Sequence, residues 1–395
     1  MRHVSNAERR ARLVRRHAFS PAHRAADPVE ATRSMTVLHA TEAATVYLSI
    51  AARVDGIDPA GIDHALYADR SLVKQLAMRR TMFVAPRDLL PATWGSASAR
   101  VAESERRKVG KDVVAAGWTT DPDCWLAEAR RAVLDLLGDA PGGVGAAELR
   151  ALVPALAGKV AIARGTKWGA DVPVAPRVLT WLGARGEIVR GVNAGHWRTS
   201  RPRWTSMEAW LGACPAPLAE DDGYAELVRR WLRTFGPGTE TDLVWWLGST
   251  KTVVRRALAG IGAVEVSLDG GMTGWVLPDD LEPEPEVEPW AALLPVLDPT
   301  TMGWKQRDFY LDPQHAPFLF DTLGNGGTTA WVDGRVVGCW VQGDDGAVRV
   351  VLREDVGRDA GALLDAEADR LTRWLDGQVI SSVYKSLQMK ELPLP

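Results

Sequence analysis

The chain contains 395 residues with a net charge of −3, 46% hydrophobic residues and 25% charged residues, an ordinary composition for a globular protein. Its length suffices for about two to four domains, and the absence of an apolar leader or of about eighteen consecutive apolar residues predicts a cytoplasmic protein that does not enter a membrane. The three cysteines lack metal-ligand spacing and no phosphate- or dinucleotide-binding glycine motif occurs, so we expect neither a metal nor a cofactor.

Residues 1–118 predict a helical domain of the winged-helix type. Helices are expected over 9–16, 28–38, 39–53 and 59–67, and a short strand over 81–84. Within this domain, residues 69–82 place cations among apolar residues at helical spacing. The order of helices followed by a strand is typical of a winged helix.

The same order of elements is expected twice more, in domains covering residues 119–205 and 206–278. Helices are predicted over 122–137, 145–152 and 173–185 in the first, and over 222–235, 239–247 and 249–259 in the second, with Ser249 as a helix cap. Strands are predicted over 187–191, 196–198, 264–268 and 274–277. Glycine-containing turns between paired strands indicate wings.

An acidic, proline-rich linker at residues 279–289 marks the clearest domain boundary. After it, residues 290–395 predict a small β-barrel-like domain closed by a helix over 360–374. Its strands are expected over 293–295, 328–332, 336–341 and 348–352. The predicted fold class is therefore α+β, with about three tandem winged helices followed by a C-terminal β domain.

Positive charge is concentrated in the N-terminal half of the chain. Residues 1–24 contain seven arginines and one acid, and residues 70–111 contain ten Lys or Arg and three acids. Residues 279–298 contain seven acids and no base. This distribution favours a polyanion as partner, although charge runs also occur as solvated helix faces.

Particular cations are predicted to contact DNA phosphates. Winged helices dock helices and wings on a duplex, and three of them in one chain could surround it. The candidate DNA-binding residues are Lys74, Arg79, Arg80, Arg198, Arg201, Arg203, Lys251 and Arg255. Surface solvation is the alternative for each of them, and the segment 197–204 could instead be a strap between domains.

The segment His39-Ala40-Thr41-Glu42 places hydrogen-bonding side chains on both sides of a small residue within an apolar pattern. Such a pattern suggests a buried polar centre. A structural, hydrogen-bonded His39 with Thr41 capping a carbonyl is the alternative interpretation.

Several segments in chain order carry a family resemblance. They are Leu38–Glu42, Arg70–Val73 with Ala77–Thr81, Trp181–Leu182 with Glu187–Val189, Leu293–Pro295 with Asp298–Pro299, and Asp333–Gly338. Over nearly its whole length the chain resembles the AlkZ-like winged-helix DNA glycosylases. The resemblance implies tandem winged helices and a β-barrel-like domain around a channel for double-stranded DNA. It also implies the excision of bulky N7-alkylated purines, a base-excision repair activity that is linked to self-resistance against genotoxins.

Active members of this family carry a Gln-apolar-Gln motif, or variants with His or Asp at one position, and the two glutamine positions fall on His39 and Thr41 in this sequence. The motif is therefore replaced by His39-Ala40-Thr41. The resemblance implies that His39 holds or deprotonates a water, that Thr41 gives this water a second hydrogen bond, and that Glu42, one helical turn beyond His39, orients the ring or offsets positive charge. It implies no nucleophilic lysine and hence a monofunctional enzyme.

Two other function classes remain open at this point. A non-catalytic tandem winged-helix DNA-binding protein or transcriptional regulator would keep the scaffold without the chemistry. A protein-interaction scaffold would use the abundant tryptophans, of which the chain has 17. For the glycosylase we expect a monomer.

Overall fold

A computed structural model describes residues 1–162, 169–285 and 287–391 of the chain. Within these ranges the fold is mixed α+β, with small sheets placed between helices, and none of the five sheets closes into a barrel. No helix in the described part is both long and apolar enough to cross a lipid bilayer.

The first part of the chain contains β1 (His3–Val4), α1 (Asn6–Arg16), α2 (Pro28–Ser34), β2 (Leu38–His39), α3 (Ala43–Ala51), α4 (Pro59–Asp63), β3 (Leu72–Leu76), β4 (Met82–Pro86), α5 (Leu90–Gly95) and α6 (Ala97–Ala115). β3 and β4 form an antiparallel hairpin, and β2 pairs with the other edge of β4. The resulting sheet has the order β2-β4-β3. It confirms the predicted strand and adds two strands that the sequence did not reveal.

Three sequence predictions in this part are wrong. The helix predicted over 28–38 ends at Ser34, because Thr36 adopts a left-handed φ of 64° that a helix cannot contain. The helix predicted over 39–53 begins only at Ala43, and His39 lies on β2 instead. The segment 69–82 is not helical, because its apolar residues pair as β3 and the chain turns back through Arg79 and Arg80.

The second part of the chain contains α7 (Pro122–Gly138), β5 (Val144–Gly145), α8 (Ala146–Leu152), β6 (Lys159–Ile162), β7 (Ala170–Pro173), α9 (Ala175–Ala184), β8 (Ile188–Asn193), β9 (Pro202–Ser206) and α10 (Met207–Leu211). The three predicted helices are confirmed. The strand predicted over 196–198 is wrong, because β8 pairs with β9 and the intervening residues form a longer loop. Leu126, Val133 and Leu182 belong to a hydrophobic cluster that serves mainly this part.

The third part of the chain contains α11 (Glu220–Phe235), α12 (Glu240–Leu247), α13 (Lys251–Gly260), β10 (Val264–Leu268) and β11 (Met272–Val276). All five predicted elements are confirmed, but the cap of α13 is Thr250 rather than Ser249, since the Thr250 hydroxyl accepts the N–H of Val253. The N-terminal strand β1 pairs in parallel with β10, so the start of the chain is attached to this part.

The C-terminal part contains β12 (Ala291–Leu294), α14 (Pro299–Met302), α15 (Ala316–Leu319), β13 (Thr329–Val332), β14 (Arg335–Gln342), β15 (Val348–Leu352), α16 (Gly357–Leu375) and α17 (Leu387–Glu391). The predicted strands and the closing helix are confirmed. The expected barrel-like closure is wrong, because the four strands form an open antiparallel sheet in the order β12-β13-β14-β15. The helix α16 packs across β12 and β15 instead.

The basic N-terminal run is neutralised inside the protein. Arg12 and Arg16 on α1 both bind Asp280 of the acidic linker, at 3.0 Å and 2.7 Å. Arg15 binds Glu284 of the same linker at 3.0 Å. The positive charges of α1 and the negative charges of the linker, far apart in the sequence, therefore compensate each other. The expectation that residues 1–24 attract a polyanion loses its basis, and the cations beyond residue 69 remain as candidates for DNA contact.

A buried ion pair joins α3 to the C-terminal part. Arg53 and Asp298 are both fully buried, and the two guanidinium Nη atoms donate to the carboxylate at 2.8 Å and 2.9 Å. Ser49 donates to the same carboxylate at 2.7 Å, and Arg53 also donates to the Thr300 hydroxyl at 2.9 Å. The polar network is therefore nearly complete, and it fixes the helix that follows His39 against the C-terminal sheet.

Candidate active site

The sheet β2-β4-β3 determines which way His39 points. His39 is opposite Phe83 on β4, and Phe83 is opposite Gln75 on β3. Residues in one row across a sheet project from the same face. His39, Phe83 and Gln75 therefore share one face, whereas Lys74 lies in the neighbouring row and projects from the other.

His39 is buried and neutral. Its side chain packs against the Phe83 ring with 4.8 Å between ring centroids, and the residue is only 5% exposed. Its Nδ1 atom is buried without a hydrogen-bond partner in the described part of the chain. Burial, reinforced by the positive charge of Arg79, lowers the pKa of His39 to about 3. The imidazole is thus suited to hold a water by a hydrogen bond, and it is a weak acceptor for that water's proton.

The chain leaves the sheet directly after His39. The Ala40 N–H donates to the Met82 carbonyl at 2.9 Å, and Thr41 follows as an exposed residue. Glu42 precedes α3 with extended backbone angles. The expected helical turn between His39 and Glu42 is therefore wrong, because the backbone between them is not helical.

Glu42 is held by the C-terminal segment. Its Oε1 atom accepts the backbone N–H of Val383 at 2.7 Å, and its Oε2 atom is buried without a partner in the described part of the chain. Beside it lies a cavity of about 120 Å³, lined in part by Thr45, Trp340 and Lys385. An acidic group with a spare oxygen thus lies close to the end of β2.

The tip of the β3–β4 hairpin is strained and docks on the third part of the chain. Arg79 and Arg80 adopt left-handed φ angles of 54° and 59°, which non-glycine residues rarely use. Gly248, at the end of α12, accommodates this tip, because a Cβ atom there would lie 2.8 Å from Cγ of Arg79. The hairpin therefore delivers Arg79 to α12, and Phe83, which pairs with His39, lies close to the same tip.

Arg79 shares an aromatic ring with a second arginine. Its Cζ atom lies 4.2 Å from the centre of the half-buried Trp245 ring, and Cζ of Arg307 lies 5.5 Å from the same centre. Burial and the charge of Arg307 lower the pKa of Arg79 to about 10. Sequence reasoning missed Arg307 and Trp245, because nothing in the local pattern connects positions so far apart in the chain.

Several other predicted DNA-binding residues are already engaged. Arg80 binds Glu105 at 3.0 Å, and Lys251 and Arg255 both bind Glu240, at 3.5 Å and 2.5 Å. Ion pairs at the surface are weak, so the exposed Lys251 and Arg255 could exchange Glu240 for phosphates. Arg80 is held more firmly, because its partner Glu105 is buried. Their DNA contacts stay predictions.

Lys74 is separated from His39 by the sheet. Its Nζ atom donates to the Tyr67 hydroxyl at 2.7 Å, and burial lowers the pKa of Lys74 to about 8. The structure therefore does not bring Lys74 and His39 together, although both lie on the same small sheet.

The segment after β8 connects three parts of the protein. Trp197 packs on Tyr47 of α3 and on Trp374 of α16, with ring centroids 5.3 Å and 5.4 Å away. Arg198 donates to the Val379 carbonyl at 2.5 Å. These contacts favour the strap interpretation for Trp197 and Arg198.

The other two arginines of that segment differ from each other. Arg203 donates to the carbonyls of Gly142 and Gly143 at distances between 2.6 Å and 3.1 Å, which ties it to the turn after α7. Arg201 is exposed. Of the two, Arg201 is the more accessible to a ligand.

Comparisons with known proteins identify the family and the fold of the chain. A family model described as DNA glycosylase AlkZ-like matches residues 32–374, so the chain belongs to the AlkZ-like DNA glycosylase family. A solved structure, Streptomyces sahachiroi DNA glycosylase AlkZ, has a similar fold with a TM-score of 0.71 and 21% sequence identity, over 96% of this chain and 98% of that chain. No curated protein matches the sequence.

Proposed function

We propose that the protein is a monofunctional DNA glycosylase that hydrolyses the N-glycosidic bond of bulky N7-alkylated purines in duplex DNA. Membership of the AlkZ-like family supports DNA glycosylase chemistry in general. The observation that carries the proposal for this site is the position of His39 at the end of β2, with Thr41 two residues further on. The cation Arg79, which has no carboxylate partner among the described residues, acts on the same imidazole.

The chemistry needs little from the protein. An N7-alkylated purine is cationic, so its bond to the deoxyribose C1′ atom breaks with departure of a neutral base. A water then adds its oxygen to C1′ and releases one proton to solvent, which leaves an abasic sugar. The enzyme must hold this water and stabilise the positive charge that develops on the sugar.

The three motif residues fit these tasks. Neutral His39 would hold the water, and the hydroxyl of Thr41, on the exposed bend that follows β2, would supply a second hydrogen bond. The Glu42 carboxylate, with one oxygen spare, would offset the positive charge on the sugar. No covalent intermediate with a lysine is required.

We propose the domain division 1–118, 119–205 and 206–278, each as a winged-helix unit, with the linker 279–289 leading to the C-terminal domain 290–395. A small antiparallel sheet in each of the first three regions supports this division. The units would surround the duplex, and the protein would act as a monomer.

The rate of base release should be independent of pH between about 6 and 8. The pKa of His39 is lowered to about 3, far below the ordinary value of about 6.5, so the ring stays neutral throughout this range. Single-turnover release measured across the range would check this. A sigmoid dependence with a midpoint near 6.5 would contradict it.

The proposal is tested by incubating the protein with a duplex that contains one N7-alkylguanine. The expected products are the free base and an alkali-labile abasic site, without a covalent protein–DNA adduct after borohydride treatment. Binding without release would favour the non-catalytic DNA-binding protein, for which the burial of His39 is the supporting observation. A regulator should prefer a sequence rather than a lesion.

A further inference from the structure

Two arginines from distant parts of the chain lie side by side without a counter-charge. Arg79 and Arg307 both lie against the ring of Trp245, and no carboxylate oxygen lies within 4.0 Å of either guanidinium in the described part of the chain. Most other arginines of the protein have such a partner, for example Arg80 beside Arg79. Arg9, Arg190 and Arg353 also lack such a partner among the described residues, and each lies over one aromatic ring. Arg79 and Arg307 differ from them because two guanidinium groups share one ring.

Like charges placed together cost free energy that the protein alone does not recover. The Arg79 Nε atom is buried and has no hydrogen-bond partner in the described residues, and its backbone is left-handed. The cation–π interaction with the Trp245 ring offsets part of this unfavourable free energy. Such an arrangement is typical of a site that is completed by an anionic ligand.

The free donors of the two guanidinium groups are compatible with one anion. Arg307 is fixed by hydrogen bonds from Nε to the Trp304 carbonyl and from Nη2 to the Gly324 carbonyl, both at 3.1 Å. Its Nη1 atom is not used in these bonds. Arg307 also lies 4.3 Å from the Phe320 ring centre, so its guanidinium is held in position before a ligand arrives.

We propose that Arg79 and Arg307 together bind one phosphodiester of the DNA, the one next to the nucleotide whose base is removed. This inference rests on the proposed function. Planar guanidinium groups match the geometry of the oxygens of a phosphate. The positive charge of Arg79 also acts on His39, so a phosphate bound to Arg79 would lie near the reacting sugar.

The phosphate would also serve the reaction. Two uncompensated cations near C1′ would oppose the positive charge that develops on the sugar in the transition state. A phosphodiester bound between them cancels part of this charge. A phosphate of the DNA would therefore partly neutralise the two arginines beside the sugar whose glycosidic bond is broken.

Binding to duplexes that carry a single methylphosphonate tests the proposal. Each phosphate around an N7-alkylguanine, or a stable analogue of it, is made neutral in turn. For the wild-type protein we expect one position, adjacent to the lesion, at which neutralisation weakens binding about tenfold. Arg307→Gln should bind the native duplex about tenfold more weakly and show no further loss at that position. Its slope of log K against log salt should fall by about 0.9.

The controls separate a specific contact from misfolding. Arg79→Gln, at the other guanidinium group beside Trp245, should remove sensitivity at the same phosphate, which two independent folding defects would not do. Arg335→Gln, an exposed arginine paired with Glu354, should keep the wild-type profile. If Arg307→Gln keeps the wild-type profile while the protein binds and releases the base, the phosphate assignment alone is overturned. If the wild-type protein does not bind the duplex, both this assignment and the proposed function fail.

Discussion

Replacing His39 by alanine should slow the release of an N7-alkylated purine by about 10²-fold while leaving duplex affinity nearly unchanged. The methyl group of alanine cannot hold the attacking water, and His39 is too deeply placed to contribute much to phosphate binding. The rate constant is measured under single-turnover conditions with the protein in excess, and affinity is measured in parallel on the same duplex.

Two further variants show whether a change in rate is specific to the side chain of His39. His23→Ala removes an exposed histidine whose ring forms a hydrogen bond with nearby Ser20, and this variant should release the base at the wild-type rate. H39Q/T41Q, which has the Gln-apolar-Gln pattern of active family members, should retain release because glutamine amides can also hold a water. Wild-type rates from His39→Ala would remove this residue from the mechanism.

Asp298→Ala should destabilise the protein by about 3–5 kcal/mol. The substitution leaves the charge of Arg53 fully buried, with its carboxylate partner gone and only Ser49 and Thr300 to receive hydrogen bonds. Arg53 follows α3, and α3 in turn follows the motif at residues 39–42. We therefore also expect this motif to become less ordered when the ion pair is lost. Urea unfolding monitored by tryptophan fluorescence measures the effect.

Two control variants test whether the large effect of Asp298→Ala comes from the burial of its ion pair. Glu354→Ala breaks the more exposed pair with Arg335 and should cost no more than about 1 kcal/mol. Arg53→Met with Asp298→Leu removes both buried charges together and should recover most of the lost stability. A cost below about 1 kcal/mol for Asp298→Ala would show that Arg53 finds another partner or reaches water.

The network around Arg53 also shows why His17 is uncharged. Its Nε2 atom faces the Thr234 carbonyl at 3.2 Å and must carry the proton, so Nδ1 accepts the Thr300 hydroxyl at 2.9 Å. Burial and the charge of Arg53 lower the pKa of His17 well below its usual range. Two buried neutral histidines, His17 and His39, thus oppose folding as the pH falls below about 6.5, because the unfolded chain then binds protons that the folded chain excludes.

The periodic helices of the fold were predictable from the sequence, and the site geometry was not. Long amphipathic helices such as α7 and α11 follow from their spacing of apolar residues. The strand β2 has only two residues, and its identity depends on pairing with Val84 and Phe83. No local pattern distinguishes such a strand from the start of the helix that follows it.

The distribution of charge along the sequence was the least reliable predictor of the DNA-binding surface. The sequence marked residues 1–24 as a basic surface, but tertiary contact brings them to Asp280 and Glu284. Conversely, Arg307 lies in a segment with no charge run. We propose it as a phosphate-binding residue because of its position beside Trp245 and Arg79. Net charge per segment cannot reveal which cations keep a free face once the chain is folded.

The central claim is that the end of β2 is a hydrolytic site. Its most direct test is the first-order rate constant for loss of a single N7-alkylguanine from a duplex saturated with the wild-type protein, compared with the same duplex in buffer. We expect bound DNA to lose the base at least about 10²-fold faster. Equal rates for saturated and protein-free DNA would contradict the claim.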